Sequence, residues 1–406
     1  MFENLVNQDI KKIISSDIES KTLPGALLYS GPEACGKLTA GLETARILSC
    51  HNNPQGKWQC QCPSCMQHKS LINSNLMLLG PRDCSLEICA AKETFLNALS
   101  VKQPYLDAAR YLFLRSIRKL TLRFNGILWQ GSKDLNKIGS LIEDINENLE
   151  LLDFPRQLPS FDECTKVCDK LEKLALKLED DFLYDSIPVD QIRNMEEWAH
   201  IKSEEGKKTV IIENADRMAL SVRNALLKIL EEPPADCQFI LLTSKKNAIM
   251  QTILSRVRCY NFSERSLDQQ NNVITRVFHK ENANISINDF LLTYLPVPPQ
   301  KIKEEAQNFY DCMACRQIPD SSEIIKNCGN FNPRLELKLF LNYLAQFQRK
   351  IIYSQNGCEA SAQCMEVFRQ CWDNITLYNQ SLLSAFEILV RDMSAINVSR
   401  EGVFKQ

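Results

Sequence analysis

At 406 residues, with 44% hydrophobic and 24% charged residues, the chain has a globular composition and is longer than one hydrophobic core supports; two to four domains are expected, and disordered or fibrous classes are excluded. Lys and Arg total 48 against 50 Asp and Glu, a net charge of −2, so no global positive field draws the chain to nucleic acid, and any role on DNA is local or shared with partners. The start Met1-Phe2-Glu3-Asn4-Leu5 lacks a basic end followed by an apolar run, and no window reaches the roughly 18 apolar residues of a membrane span. A cytoplasmic chain is expected, with no membrane contact and with most of its 17 cysteines reduced as small core residues.

The first legible unit covers residues 24–46. A short apolar strand runs into a loop with two glycines, Gly31-Pro-Glu-Ala-Cys-Gly36-Lys37-Leu38-Thr39, and a helix follows through Arg46. Between strand and helix, this spacing fits a phosphate-binding loop through the lysine: glycines let backbone N–H groups approach phosphates, and Lys37 adds charge. The next residue should carry a hydroxyl for Mg²⁺, and it is Leu38. Thr39 follows one place later, turned by about 100° around a helix, so it does not simply substitute. The loop is equally compatible with ATP held without turnover and with a vestigial loop that holds none.

Cys50, Cys60, Cys62 and Cys65 then lie within 16 residues, beside the turn-forming Asn52-Asn53-Pro54-Gln55-Gly56. In a reducing compartment such clustering favours a structural zinc with four thiolate ligands over a disulfide. One residue between Cys60 and Cys62 is shorter than usual, which makes His68 a reserve ligand. Cys312 and Cys315 share a two-residue spacing with only Cys328 nearby, and read as helix core.

Residues 82–185 interrupt the α/β pattern and read as a helical insertion. Apolar residues recur at helical spacing from Leu135 to Leu152 and from Val167 to Leu178, and Pro155 and Pro159 between the runs suggest a hairpin whose plainest role is packing. A strand at Thr209-Val210-Ile211-Ile212, a helix around Asn224–Leu230, stopped by Pro233-Pro234, and a strand at Phe239–Thr243 complete a parallel sheet buried on both faces. The first of these ends Glu213-Asn214-Ala215-Asp216, where a working ATPase usually has Asp-Glu. Glu213 is left to assist a metal, Asn214 accepts no proton, and Asp216 reads as a loop or cap residue. After about residue 263 the chain is mainly helical, with a break at Pro296, Pro298 and Pro299 and a terminal bundle from Asn332.

Asn224-Ala-Leu-Leu-Lys-Ile-Leu-Glu-Glu-Pro-Pro234, Ile253-Leu254-Ser255-Arg256 and the cysteine cluster after the first helix together resemble the bacterial DNA polymerase III clamp-loader family of AAA+ proteins, over about 24–75 and 187–262. The resemblance implies an α/β AAA+ P-loop core with a parallel sheet over 1–262, a helical lid over 263–328 and a C-terminal helical collar over 329–406. It gives Arg256 the role of an arginine finger acting on a neighbouring subunit's ATP. Val257 stands where the family motif has Cys, and Arg258 is the rival assignment. Gly31, Gly36, Lys37, Thr39, Glu213 and Ser244 become the residues of a degenerate nucleotide site, with Thr243-Ser244 at the position of the family's nucleotide sensor. A P-loop lacking its hydroxyl and a second strand lacking its glutamate resemble the delta-prime group, a scaffold without turnover. An ATP-hydrolysing gamma/tau-like subunit, or another AAA+ repair accessory, is the alternative. The implied partners are gamma/tau and delta subunits, with the sliding clamp and primed DNA as the assembly's targets.

Overall fold

The computed structural model describes residues 1–52, 56–203, 206–281, 283–354, 357–376, 378, 380–400 and 403–405. In chain order the elements begin α1 (Ile10–Glu19), β1 (Ala26–Ser30), α2 (Lys37–Leu48), α3 (Pro63–Ser70) and β2 (Leu76–Leu79). Four helices follow, α4 (Ser85–Ser100), α5 (Leu106–Thr121), α6 (Leu135–Leu152) and α7 (Phe161–Phe182). The α/β pattern resumes with α8 (Val189–His200), β3 (Lys208–Ile212), α9 (Leu220–Glu231), β4 (Cys237–Thr243), α10 (Gln251–Leu254) and β5 (Arg258–Asn261). The remainder is helical: α11 (Leu267–Phe278), α12 (Ile287–Leu292), α13 (Pro299–Ala314), α14 (Ser321–Asn327), α15 (Lys338–Phe347), α16 (Gly357–Thr376) and α17 (Leu382–Ser399). No helix of the described residues is long and apolar enough to cross a membrane.

The five strands form one parallel sheet in the order β2-β3-β4-β1-β5. Alternate residues of each strand feed opposite faces, as a period of two requires. Leu28, Val210, Ile212, Phe239 and Leu241 pack under α8 and α9 through Ile192, Met195, Leu226 and Leu230. Leu27, Tyr29, Ile211, Ile240 and Leu242 pack on the other face with Ile14, Ile18, Leu42 and Ala45 from α1 and α2. Covering both faces explains why these strands read as continuous apolar runs.

Two strands carried no clear signal in the sequence. β2 is four residues long, and β5 is an edge strand with exposed ends, so neither length nor alternation marks them. The insertion is also larger than a hairpin: α4 to α7 share their own core, with Phe95, Phe113, Ile117, Ile145, Leu149, Leu171 and Leu178 buried together. The chain divides into two compact units, Met1–Phe290 and Leu291–Gln406. The second unit is built around Phe340, whose ring lies 5.8 Å from Phe309, 5.3 Å from Phe331 and 5.5 Å from Phe386.

Candidate functional site

The loop from Gly31 to Gly36 leaves the end of β1, between β4 and β5 in the sheet, and the Gly31 N–H donates to the Thr243 carbonyl of β4 at 3.2 Å. Gly36 caps α2 with φ 97°, a left-handed conformation that glycine adopts without strain. Lys37 folds back over this loop: its Nζ donates to the Gly31 carbonyl at 2.6 Å and to the Pro32 carbonyl, and lies 3.6 Å from Cys35 Sγ. Arg265, buried where the chain enters α11, donates to the carbonyls of Ala34 and Val6. Three loop carbonyls therefore accept from cationic side chains of the chain itself. Leu38 lies in the core packed by α2, and Thr39 is half-buried on the same helix.

At the end of β3, Glu213 is buried, and both carboxylate oxygens are engaged. Arg82 Nη1 lies 3.1 Å from Oε1, and Arg123 Nη2 donates to Oε2. Arg123 is fully buried, and its Nε donates to the Gly80 carbonyl at 3.2 Å. Arg82 also pairs with Glu87 at 2.9 Å, and Glu87 pairs with Lys119. Burial opposes charge on Glu87, yet Lys119 and Arg82 pull its carboxyl down to about 2. Arg123 belongs to the turn after α5, so the insertion supplies the countercharge of this strand end.

Asn214 adopts a left-handed conformation, φ 50° and ψ 46°, and its side-chain amide donates to the Pro81 carbonyl. Gly80 is required beside it, because a Cβ there would lie 2.2 Å from the Glu213 carbonyl oxygen. Asp216 sits in a 3-10 turn and accepts from the Thr243 hydroxyl at 2.6 Å. Thr243 is buried at the end of β4, with Ser244 half-buried after it. The geometry thus brings Gly31, Gly36, Lys37 and the Thr243-Ser244 corner together around β1 and β4. It turns Glu213 and Asn214 toward the insertion.

Arg256 lies apart, between α10 and β5. Its Nη2 and Nε bind Glu231 Oε2 at 3.0 and 3.3 Å, and its Nη1 donates to the Thr252 carbonyl at 2.8 Å. The side chain is 28% exposed and its Glu231 partner 61% exposed, so this pair is weak and easily exchanged for another anion. Val257 is buried in the sheet core, while Arg258 pairs with Asp17 at 3.1 Å and lies over the Tyr260 ring.

The sulfurs of Cys50, Cys60, Cys62 and Cys65 all lie within 4.8 Å of one another, the only such ligand grouping among the described residues. Cys50 follows the end of α2, and Cys62 caps α3, accepting from the Cys65 N–H at 3.4 Å. Burial opposes ionisation of Cys62, but hydrogen bonds from the His51 and Cys65 backbone and from the Cys60 and Cys65 thiols bring it down to about 6. A soft, closed four-sulfur set of this size fits a tetrahedral metal ion and leaves no open ligand position. His68 stands outside the group. It is buried, neither ring nitrogen has a hydrogen-bond partner, and burial followed by the Arg46 cation lowers it to about 4.

Arg82, Arg123 and Arg265 are the candidate site residues that no sequence motif marked. Each acts on a group distant in the chain, Arg123 on a residue 90 positions away, and no local pattern marks such a pairing.

The family described as DNA polymerase III, delta subunit, matches residues 6–126 and 155–266. This corrects the sequence reading, which left 82–185 outside the resemblance. Only 127–154 of the insertion is unmatched, because helices that carry packing positions and no motif are invisible to motif comparison. The delta' subunit of DNA polymerase III from Haemophilus influenzae is 37% identical over 78 residues, which is 19% of this chain and 24% of that protein. The Bacillus subtilis delta' subunit is 38% identical over 78 residues, with the same two shares. The Bacillus subtilis tau subunit is 39% identical over 75 residues, 18% of this chain and 13% of that protein. These alignments cover about a quarter of the delta' relatives and less of tau. A solved gamma subunit-related protein from Thermotoga maritima is 14% identical and covers 57% of this chain and 90% of its own, with a TM-score of 0.28. With more than half of its length matched, and with an inner strand, phosphate-type loop and helix in a five-stranded parallel sheet, the chain belongs to the DNA polymerase III delta subunit family of clamp-loader proteins and has its AAA+ α/β fold.

Proposed function

We propose that this chain is a delta-prime-type, non-motor subunit of the DNA polymerase III clamp loader, acting in the cytoplasm with gamma/tau and delta subunits on the sliding clamp and primed DNA. The observation that carries the reading is the state of Glu213, whose two oxygens are both held by guanidinium groups of Arg82 and Arg123. With Leu38 in the core and Asn214 bound to a carbonyl, three positions that hydrolysis needs supply neither a magnesium ligand nor a proton acceptor. Gly31, Gly36, Lys37, Thr39 and Ser244 then form a degenerate nucleotide pocket, and Arg256 is the finger offered to a neighbouring subunit. Its partly exposed position and its replaceable Glu231 partner support that assignment.

The four cysteines hold a structural zinc in this reading, which elemental analysis of reduced, chelator-free protein tests: one zinc per chain is expected, and none would remove the assignment. In this reading 1–262 is the AAA+ core, 263–328 a helical lid and 329–406 a helical collar. The ATPase assay tests the main claim. The isolated chain should give no turnover, and steady turnover abolished by Lys37→Ala would instead make it a gamma/tau-like motor.

A further inference from the structure

Arg46, like Arg123, is among the largest fully buried side chains in the described residues, 1% exposed, on the helix that starts at Lys37. Its Nη2 donates to Glu43 Oε2 at 2.8 Å and to the Gly56 carbonyl at 3.0 Å. Its Nη1 donates to the Lys57 carbonyl at 3.1 Å and lies 3.7 Å from Cys65 Sγ, within reach of a sulfur hydrogen bond. Nε has no partner, and the guanidinium carbon lies 5.3 Å from the centre of the Trp58 ring. Glu43 is buried too, and accepts from Asn4 Nδ2 at 3.2 Å.

Burying a guanidinium on a helix of a small module costs several kcal/mol unless its donors are matched, and a single carboxylate would match them only in part. Here the fork spans more than Glu43: it reaches the loop carbonyls just before Cys60 and the sulfur of Cys65. A dication held by four thiolates carries two net negative charges, and burial makes that excess expensive. An N–H aimed at a ligand sulfur draws charge from it and fixes its direction, the work done by the outer hydrogen-bonding partners of metal sites.

We propose that Arg46 is the positioning residue of the metal site, orienting Cys65 and offsetting the charge of the thiolate set while its other arm fixes residues 56–57. This rests on the metal reading of the four cysteines. Arg46 also ties the cysteine loop to α2.

The test is zinc affinity of the full chain, measured by competition with a chromophoric chelator, for wild type, Arg46→Gln, Arg46→Lys and Ile47→Ala. The last removes uncharged packing, since Ile47 lies beneath Gly56. Arg46→Gln should weaken zinc about 10–100-fold, with Arg46→Lys recovering part of the loss through its charge. Ile47→Ala should lower the melting temperature and leave affinity unchanged. If Arg46→Gln is folded and binds zinc like wild type, or if Ile47→Ala weakens zinc equally, the inference is overturned. If Arg46→Gln does not fold, Arg46→Lys decides by cobalt(II) substitution. A shifted thiolate-to-cobalt charge-transfer band supports the lost Cys65 contact, and an unchanged band with unchanged affinity overturns it. A wild-type chain that takes up no zinc removes the metal reading itself.

Discussion

Glu213 lies at the end of β3, and both its oxygens are taken by cations of the same chain, Arg82 and Arg123. A buried carboxylate with two guanidinium partners is stable only as a set. Removing one partner strands the charge, so Arg123→Ala should cost about 3–5 kcal/mol in urea unfolding. An Arg123→Met, Glu213→Gln double variant, which removes both charges, should regain most of that loss. A single variant as stable as wild type would show that the pair is not coupled. Glu87 makes a pH-dependent contribution to the same cluster. Its folded carboxyl lies at about 2 against an ordinary 4.5, so the stabilisation is present above about 4.5 and is lost as pH falls from there through 2. The stability difference between wild type and Glu87→Gln should shrink across that window and stay level from pH 6 to 8. A difference independent of pH would place the effect in packing.

The elements differ in how openly the chain declared them. β1, β3 and β4 were legible because both their faces are buried, giving apolar runs between helix signals; β2 and β5 were hidden by length and edge position. The four cysteines were readable because they lie close together in the chain, whereas the Arg82–Glu213–Arg123 set joins segments that only the fold brings together. The insertion's helicity was plain from its periodicity, but its attachment to β3 was not, since nothing local distinguishes Arg123 from the surface arginines of an amphipathic helix. α7 begins with a capping box in which the Ser160 hydroxyl accepts from the Glu163 N–H and Glu163 returns the bond. Ser160→Ala should therefore cost about 1 kcal/mol in denaturant unfolding, and a change near zero would mean that tertiary packing alone sets where α7 starts.

In the larger unit, a phosphate-type loop without its hydroxyl is joined to a strand end whose glutamate is held by two arginines of the same chain, and a half-buried arginine with an exchangeable partner stands elsewhere on it. This combination fits a subunit that serves another subunit's reaction. Arg256→Ala should leave the chain folded and assembled while slowing loader ATP hydrolysis, by up to about 10³–10⁵ at the one site it serves and less for the assembly as a whole. Arg256→Lys should rescue poorly, because a point charge does not reproduce the planar fork. Arg258, held by Asp17, is the control.

The most direct measurement is ATP turnover by a loader reconstituted from gamma/tau, delta and this chain, carrying either Lys37→Ala or Arg256→Ala. A finger given in trans by a non-motor subunit requires wild-type turnover with Lys37→Ala and a marked fall with Arg256→Ala. Turnover that collapses with Lys37→Ala while Arg256→Ala retains full activity would contradict it.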